Sequence, residues 1–122
     1  MSKKILVVDD EPDVVEFQKS YLTRRGYQVF TAGSTPEAIE AVKKESPDII
    51  FCDLRMETDT AGLDILEQAK KIKPDITVYL ISGFTDKAIE ERGLALGAKE
   101  ILPKPLPNAD LEKRAGGLKR EL

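Results

Sequence analysis

Five positions carry most of the chemistry open to this chain: the adjacent Asp9 and Asp10, then Asp53, Ser82 and Lys104. None stands inside an apolar run; each follows one, at or just beyond its last residue. A single acid or hydroxyl in such a place is ordinarily a helix cap, and that reading holds for Ser82 or Asp10 taken alone. Four of five runs ending in ionic or hydroxyl groups suited to one chemistry is a different observation. Two carboxylates about 5 Å apart repel by about 3 kcal/mol at an effective dielectric of about 20, so three in one cleft need compensation. Lys104 supplies one positive charge, and a hard divalent cation with oxygen ligands supplies the rest. Mg2+ (or Mn2+) suits one or two carboxylates completed by water or phosphate oxygens; the acidic spacing of a dedicated calcium loop is missing. A carboxylate beside such a cation, with an amine and a hydroxyl opposite, is an arrangement for phosphoryl transfer. The carboxylate attacks phosphorus while cation, lysine and hydroxyl stabilise the equatorial oxygens. No Gly-rich loop ending in Lys-Ser/Thr occurs, so the donor need not be a nucleotide.

Composition removes the main competitors. The chain has no histidine and one cysteine, which excludes imidazole-based triads, His-ligated metals, Cys-rich zinc sites and internal disulfides. With 122 residues, 41% hydrophobic and 34% charged, it is expected to form one globular domain over 1–122. Nineteen basic against twenty-two acidic residues give a net charge of −3, which argues against direct nucleic-acid binding across the surface. No apolar run approaches a membrane span, and the apolar stretch after Lys3-Lys4 is stopped at Asp9-Asp10-Glu11, too early for a signal peptide. A cytoplasmic location with no membrane insertion is the expectation.

The elements that must position the five groups are legible as alternation. Strand-like runs are expected at 5–8, 28–31, 49–52, 77–81 and 100–102, most of them continuous apolar blocks of the kind covered on both faces. Between them lie helical patterns. Val14, Phe17 and Tyr21, flanked by Val15 and Leu22, mark the apolar face of a first helix ending at Gly26. Ser34-Thr35-Pro36-Glu37 opens a second with a capping box, broken at Ser46-Pro47. A third is expected near 63–71, a fourth over about 86–96 ending at Gly97, and a fifth from Asp110, weakened by Gly116-Gly117. Alternating strands and helices predict an open parallel α/β sheet with helices on both faces. In such sheets ligands bind beyond the carboxyl ends of the strands, where strand order reverses. Order 2-1-3-4-5 would set the first and third strands side by side there, so that Asp9, Asp10 and Asp53 converge.

These segments resemble the receiver domain of two-component response regulators. Ile5-Leu6-Val7-Val8-Asp9-Asp10-Glu11-Pro12 is similar to its opening strand and acidic pair, and Pro47 to Met56 to its third strand and phosphoacceptor. Leu80-Ile81-Ser82-Gly83 is similar to its hydroxyl strand, and Leu96-Gly97-Ala98 through Leu102-Pro103-Lys104-Pro105 to its lysine segment. The resemblance implies a flavodoxin-like three-layer α/β/α sandwich with a five-stranded parallel sheet and five helices. It further implies Asp53 as phosphoacceptor; Asp10, Asp53 and the backbone carbonyl of Arg55 as metal ligands; and Asp9 acting through a water. Lys104 would pair with the phosphoryl group, with a cis Lys104-Pro105 bond, and Ser82 would be the switch hydroxyl. The implied partners are a sensor histidine kinase or histidine phosphotransfer protein and an output partner or effector domain, the chain being a whole receiver or the receiver part of a longer regulator. Catalysis is limited to self-phosphorylation from small donors and self-dephosphorylation.

Three features depart from that pattern or modulate it. The family usually has proline four residues after the phosphoacceptor and glycine eight after it; here Glu57 replaces the proline and Gly62 lies nine residues on. The longer, more acidic loop is read as plain variation, the alternative being that Glu57 or Asp59 approaches the metal. Ile101 stands where a Tyr or Phe often swings inward, and a β-branched aliphatic is read as a core or edge-strand residue. Arg55 and Phe84 fall where the family tunes phosphoryl lifetime. Cys52 alternates with Asp53 along a strand and is expected as an inert core thiol. Two other functions stay open: a non-switching interaction module that keeps the pocket, and an Mg2+-dependent aspartyl-nucleophile phosphatase, although Arg55 stands where the latter would want a second Asp.

Overall fold

The computed structural model describes residues 3–83 and 87–116. Phe84, Asp86 (the expected start of the fourth helix), Gly117 and Leu122 lie outside the described residues. Five strands, β1 (Lys4–Val8), β2 (Gln28–Ala32), β3 (Ile49–Asp53), β4 (Thr77–Ser82) and β5 (Glu100–Pro103), alternate with five helices. These are α1 (Pro12–Arg24), α2 (Thr35–Glu45), α3 (Ala61–Ile72), α4 (Lys87–Ala95) and α5 (Asn108–Arg114). All pairings are parallel, in the order β2-β1-β3-β4-β5, so strand order reverses between β1 and β3 as expected.

Alternation along the strands divides the interior in two. Ile5, Val7, Ile49, Phe51, Tyr79, Ile81 and Leu102 face α1 and α5, joined there by Leu22, Leu111 and Ala115. Phe51 and Tyr79 stack with ring centroids 5.2 Å apart. Leu6, Val8, Ile50, Cys52, Val78 and Leu80 point the other way, against Ala38 and Val42 of α2 and Leu63, Leu66 and Ala69 of α3. β3 is buried along its whole length, which is why its sequence reads as an unbroken apolar block ending in one acid.

Most local expectations hold. Ser34 Oγ accepts a hydrogen bond from the Glu37 N–H at 3.3 Å, and Glu37 Oε1 reaches back to the Gly33 N–H at 2.7 Å. The capping box therefore closes one residue further out than its usual form. Ser46 ends α2 in the left-handed region (φ 50°). α5 stops at Arg114, with Gly116 at φ 107°. The apolar face assigned to α1 needs correction: Phe17 is 66% exposed, while Gln18 is buried. Helical spacing from Leu22 explains this, because Gln18 and Val14 fall on the Leu22 stripe and Phe17 is rotated off it. Tyr21 is half-buried, and its hydroxyl donates to Glu112 Oε1 of α5 at 2.7 Å. α3 begins two residues before the expected start, at Ala61.

Candidate functional site

The same alternation that sorts the core positions the charged groups. Asp9, Asp53 and Lys104 continue the Val7, Phe51 and Leu102 parity and emerge together on the α1/α5 side of the sheet's carboxyl end. Lys104 Nζ lies 3.1 Å from Asp53 Oδ2 and 3.7 Å from Asp9 Oδ2. Asp53 and Asp9 are buried, at 5% and 6% exposure, whereas Asp10 is exposed. Ligand oxygens of Asp9, Asp10 and Asp53 all lie within 4.8 Å of one another. Asp10, Asp53, Arg55, Ser82 and Lys104 line one shallow recess of about 290 Å³. Larger concavities exist, including a groove of about 620 Å³ between β2 and α2, so convergence of charge rather than size singles out the site.

Backbone contacts hold the pieces in place. Asp9 Oδ1 accepts from the Glu11 N–H at 3.0 Å, and Asp53 Oδ1 from the Arg55 N–H at 3.4 Å. The Lys104 N–H donates to the Ser82 carbonyl at 2.9 Å, which fixes the lysine segment beside the end of β4. The Lys104-Pro105 bond is cis, as the resemblance implies. Ser82 is buried at the tip of β4, one residue past Ile81, the register partner of Asp53.

Burial pushes the Asp53 carboxyl above its ordinary value; the hydrogen bond from Lys104 opposes this, and the charge of Asp9 adds to it. Lys104 is held above the usual lysine value. Burial alone would lower it, but the hydrogen bond and charge of Asp53, with Asp9 behind, outweigh burial. The three clustered carboxylates outnumber the single ammonium that reaches them. The donors are all oxygens, the set a hard divalent cation takes.

The loop over residues 54–62 resolves the departures noted above. A Cβ on Gly62 would lie 2.8 Å from Leu54 Cα and 2.9 Å from the Asp53 carbonyl oxygen, so only glycine lets α3 start so close to the end of β3. The Gly62 N–H bonds the Leu54 carbonyl at 2.8 Å. The extra residue of the loop is thus accommodated before Gly62, whose close approach is kept. Glu57 is not one of the clustered carboxylates. Its carboxylate accepts from the Thr35 N–H at 2.7 Å and the Thr35 hydroxyl at 3.0 Å, at the first turn of α2. The backbone bond from Thr35 draws its pKa down. Sequence reading missed this partnership; the one local signal was an acid in the loop and an N-terminal helix turn with N–H groups to offer. Cys52 is fully buried on the opposite face of β3, its thiol pushed far above its ordinary value by burial and by the charges of Asp53, Asp9 and Glu57. Ile101 packs half-buried against the α4-side core.

The strand order and the acidic recess at its switch point give the class of α/β domain, and comparison with known proteins makes the family explicit. The family model of the response regulator receiver domain matches residues 5–116, and the chain belongs to that family. It is 32% identical over 120 residues to the alkaline phosphatase synthesis transcriptional regulatory protein PhoP of Bacillus subtilis, covering 98% of this chain and 50% of that protein. The chain therefore spans about half the length of such curated relatives. A response regulator receiver domain from Clostridium thermocellum superimposes with a TM-score of 0.83 at 32% identity, covering 98% of each chain. A response regulator from Burkholderia pseudomallei, described as carrying a phosphorylated aspartic acid and a calcium ion, matches at 27% identity and TM-score 0.82 over 98% of this chain and 72% of that one.

Proposed function

We propose that residues 1–122 form one receiver unit in which Asp53 is the phosphoacceptor of a two-component switch. The observation that carries this is the convergence of Asp9, Asp10 and Asp53 within 4.8 Å, with Lys104 3.1 Å from Asp53. The related Burkholderia pseudomallei protein, with its phosphorylated aspartic acid and its divalent ion, supports the reading. Asp10, Asp53 and the Arg55 carbonyl would hold Mg2+ (or Mn2+). Asp9, whose oxygens already engage the Glu11 N–H and Lys104, would act through a water. When bound, the cation neutralises charge on the transferring phosphoryl oxygens.

An Asp53 carboxylate oxygen forms the new O–P bond as the N–P bond of a phosphohistidine breaks. The electron pair of that bond stays on the imidazole nitrogen, which takes up a proton. The donor is a sensor histidine kinase or histidine phosphotransfer protein, in keeping with a chain that has no histidine of its own. Lys104 follows the charge from the carboxylate to the phosphoryl group, and the Ser82 hydroxyl donates to a phosphoryl oxygen. Output passes to an effector domain or separate partner in the cytoplasm, without direct nucleic-acid contact by this unit; among the described residues no helix is long and apolar enough to cross a membrane.

Hydrogen exchange on unmodified and phosphorylated protein tests the switch. Slower exchange in residues 55–60 together with altered exchange in α4 and β5 is the expected result. Change confined to the loop would make the unit a fixed interaction module.

A further inference from the structure

We propose that Glu57 is a positioning residue for the metal site, latching the loop after β3 onto the first turn of α2 so that the Arg55 carbonyl is preset for the cation. The inference rests on the metal reading given above and adds to it a residue outside the acidic cluster.

The loop is held at its two ends by short backbone bonds. The Leu54 N–H donates to the Ile81 carbonyl at 2.9 Å and the Gly62 N–H to the Leu54 carbonyl at 2.8 Å. Arg55 stands between these ends. Its own N–H is taken by Asp53 Oδ1 at 3.4 Å, and the next N–H, that of Met56, bonds the Thr58 carbonyl at 3.0 Å. The peptide carrying the Arg55 carbonyl is therefore set by the turn over residues 56–58. Met56 anchors that turn from below, against the α2/α3 core. Glu57 anchors it from the side, through two hydrogen bonds to Thr35, 22 residues earlier in the chain. Both Glu57 oxygens are used, which fixes the side chain's rotation as well as its reach. The loop is longer by one residue than the pattern it resembles, and an exposed loop lacking proline has more conformations to lose. The latch removes that freedom before the cation arrives. It also holds the Glu57 carboxylate at the positive end of a helix.

Mg2+ affinity, measured by calorimetry on the unphosphorylated protein, separates positioning from stability. Glu57→Ala should weaken Mg2+ binding about fivefold, the loss of one charged hydrogen-bonded anchor, with only the small fall in melting temperature that losing an exposed helix-terminus contact brings. Glu57→Gln, whose amide oxygen still accepts from Thr35, should recover most of the affinity. Thr35→Val should weaken binding partway in the parent and add nothing in the Glu57→Ala background. Asp59→Ala, which deletes the same charge from the same loop, is the control for long-range electrostatics. Equal weakening by Asp59→Ala and Glu57→Ala, or an unchanged Mg2+ affinity in Glu57→Ala, would overturn the latch. A parent protein that takes up no Mg2+ would overturn the metal site itself, and the latch with it.

Discussion

Asp53 sits where two requirements oppose each other. The proposed phosphoacceptor role needs an ionised carboxylate, yet the carboxyl is buried beside Asp9, and both raise its pKa against the pull of Lys104. The folded-state value lies above the unfolded one near 3.9, so the folded protein binds this proton more readily. The associated stability is present below that pH and is lost as pH rises through the folded value. Asp53→Asn should therefore stabilise the metal-free fold by about 1 kcal/mol at neutral pH, an advantage that vanishes as pH falls below about 4. Asp10→Asn should relieve some of the repulsion among the clustered carboxylates, with a smaller gain because Asp10 is exposed. Mg2+ should raise the melting temperature of the parent and of neither variant; equal shifts in all three would remove the proposed site. At this scale the sequence was informative wherever a group followed an apolar run, since a parallel strand must deliver its next residue to the sheet's carboxyl end. It marked Glu57 as a departure but was silent on its partner, because Thr35 at the start of α2 meets the loop only through tertiary approach.

The elements do their positioning through a few close contacts. Gly62 is the sharpest of them, because the neighbours a Cβ would meet are backbone atoms of Leu54 and Asp53 that cannot yield cheaply. Gly62→Ala should cost about 2–3 kcal/mol, read from the urea midpoint, and an unchanged midpoint would mean that α3 is not seated against β3. Gly93 of α4 has a milder version of the same constraint: its missing Cβ faces the tips of Ile101 and Leu80 at 3.1 and 3.2 Å, which seats α4 over β5. Element type and order were legible, because five apolar blocks alternate with caps and breakers such as Ser34-Thr35-Pro36-Glu37 and Ser46-Pro47. The place of Phe17 on α1 was not. Phe17 outranks Gln18 in hydrophobicity, yet the stripe through Val14, Gln18 and Leu22 faces the sheet, and Phe17 stays 66% exposed. A periodicity argument weighs residue types; the helix obeys the angle its connections impose.

Across the whole molecule, a parallel sheet with a core on each face leaves one place for reactive groups, the carboxyl edge at the reversal between β1 and β3. Odd-numbered residues of β1 and β3 supply one core and then Asp9 and Asp53; their even-numbered neighbours supply the other core and an inert Cys52. Fold and acidic cluster thus come from one alternating pattern, which is why both could be read together. Cation binding, switching and the partner lie beyond what that pattern encodes, and the central claim is chemical. Intact mass after incubation with acetyl phosphate and Mg2+ addresses it directly. A single phosphoryl adduct is expected on the parent, and none on Asp53→Asn or without metal. The same adduct on Asp53→Asn, or none on the parent where another receiver domain is modified, would contradict it.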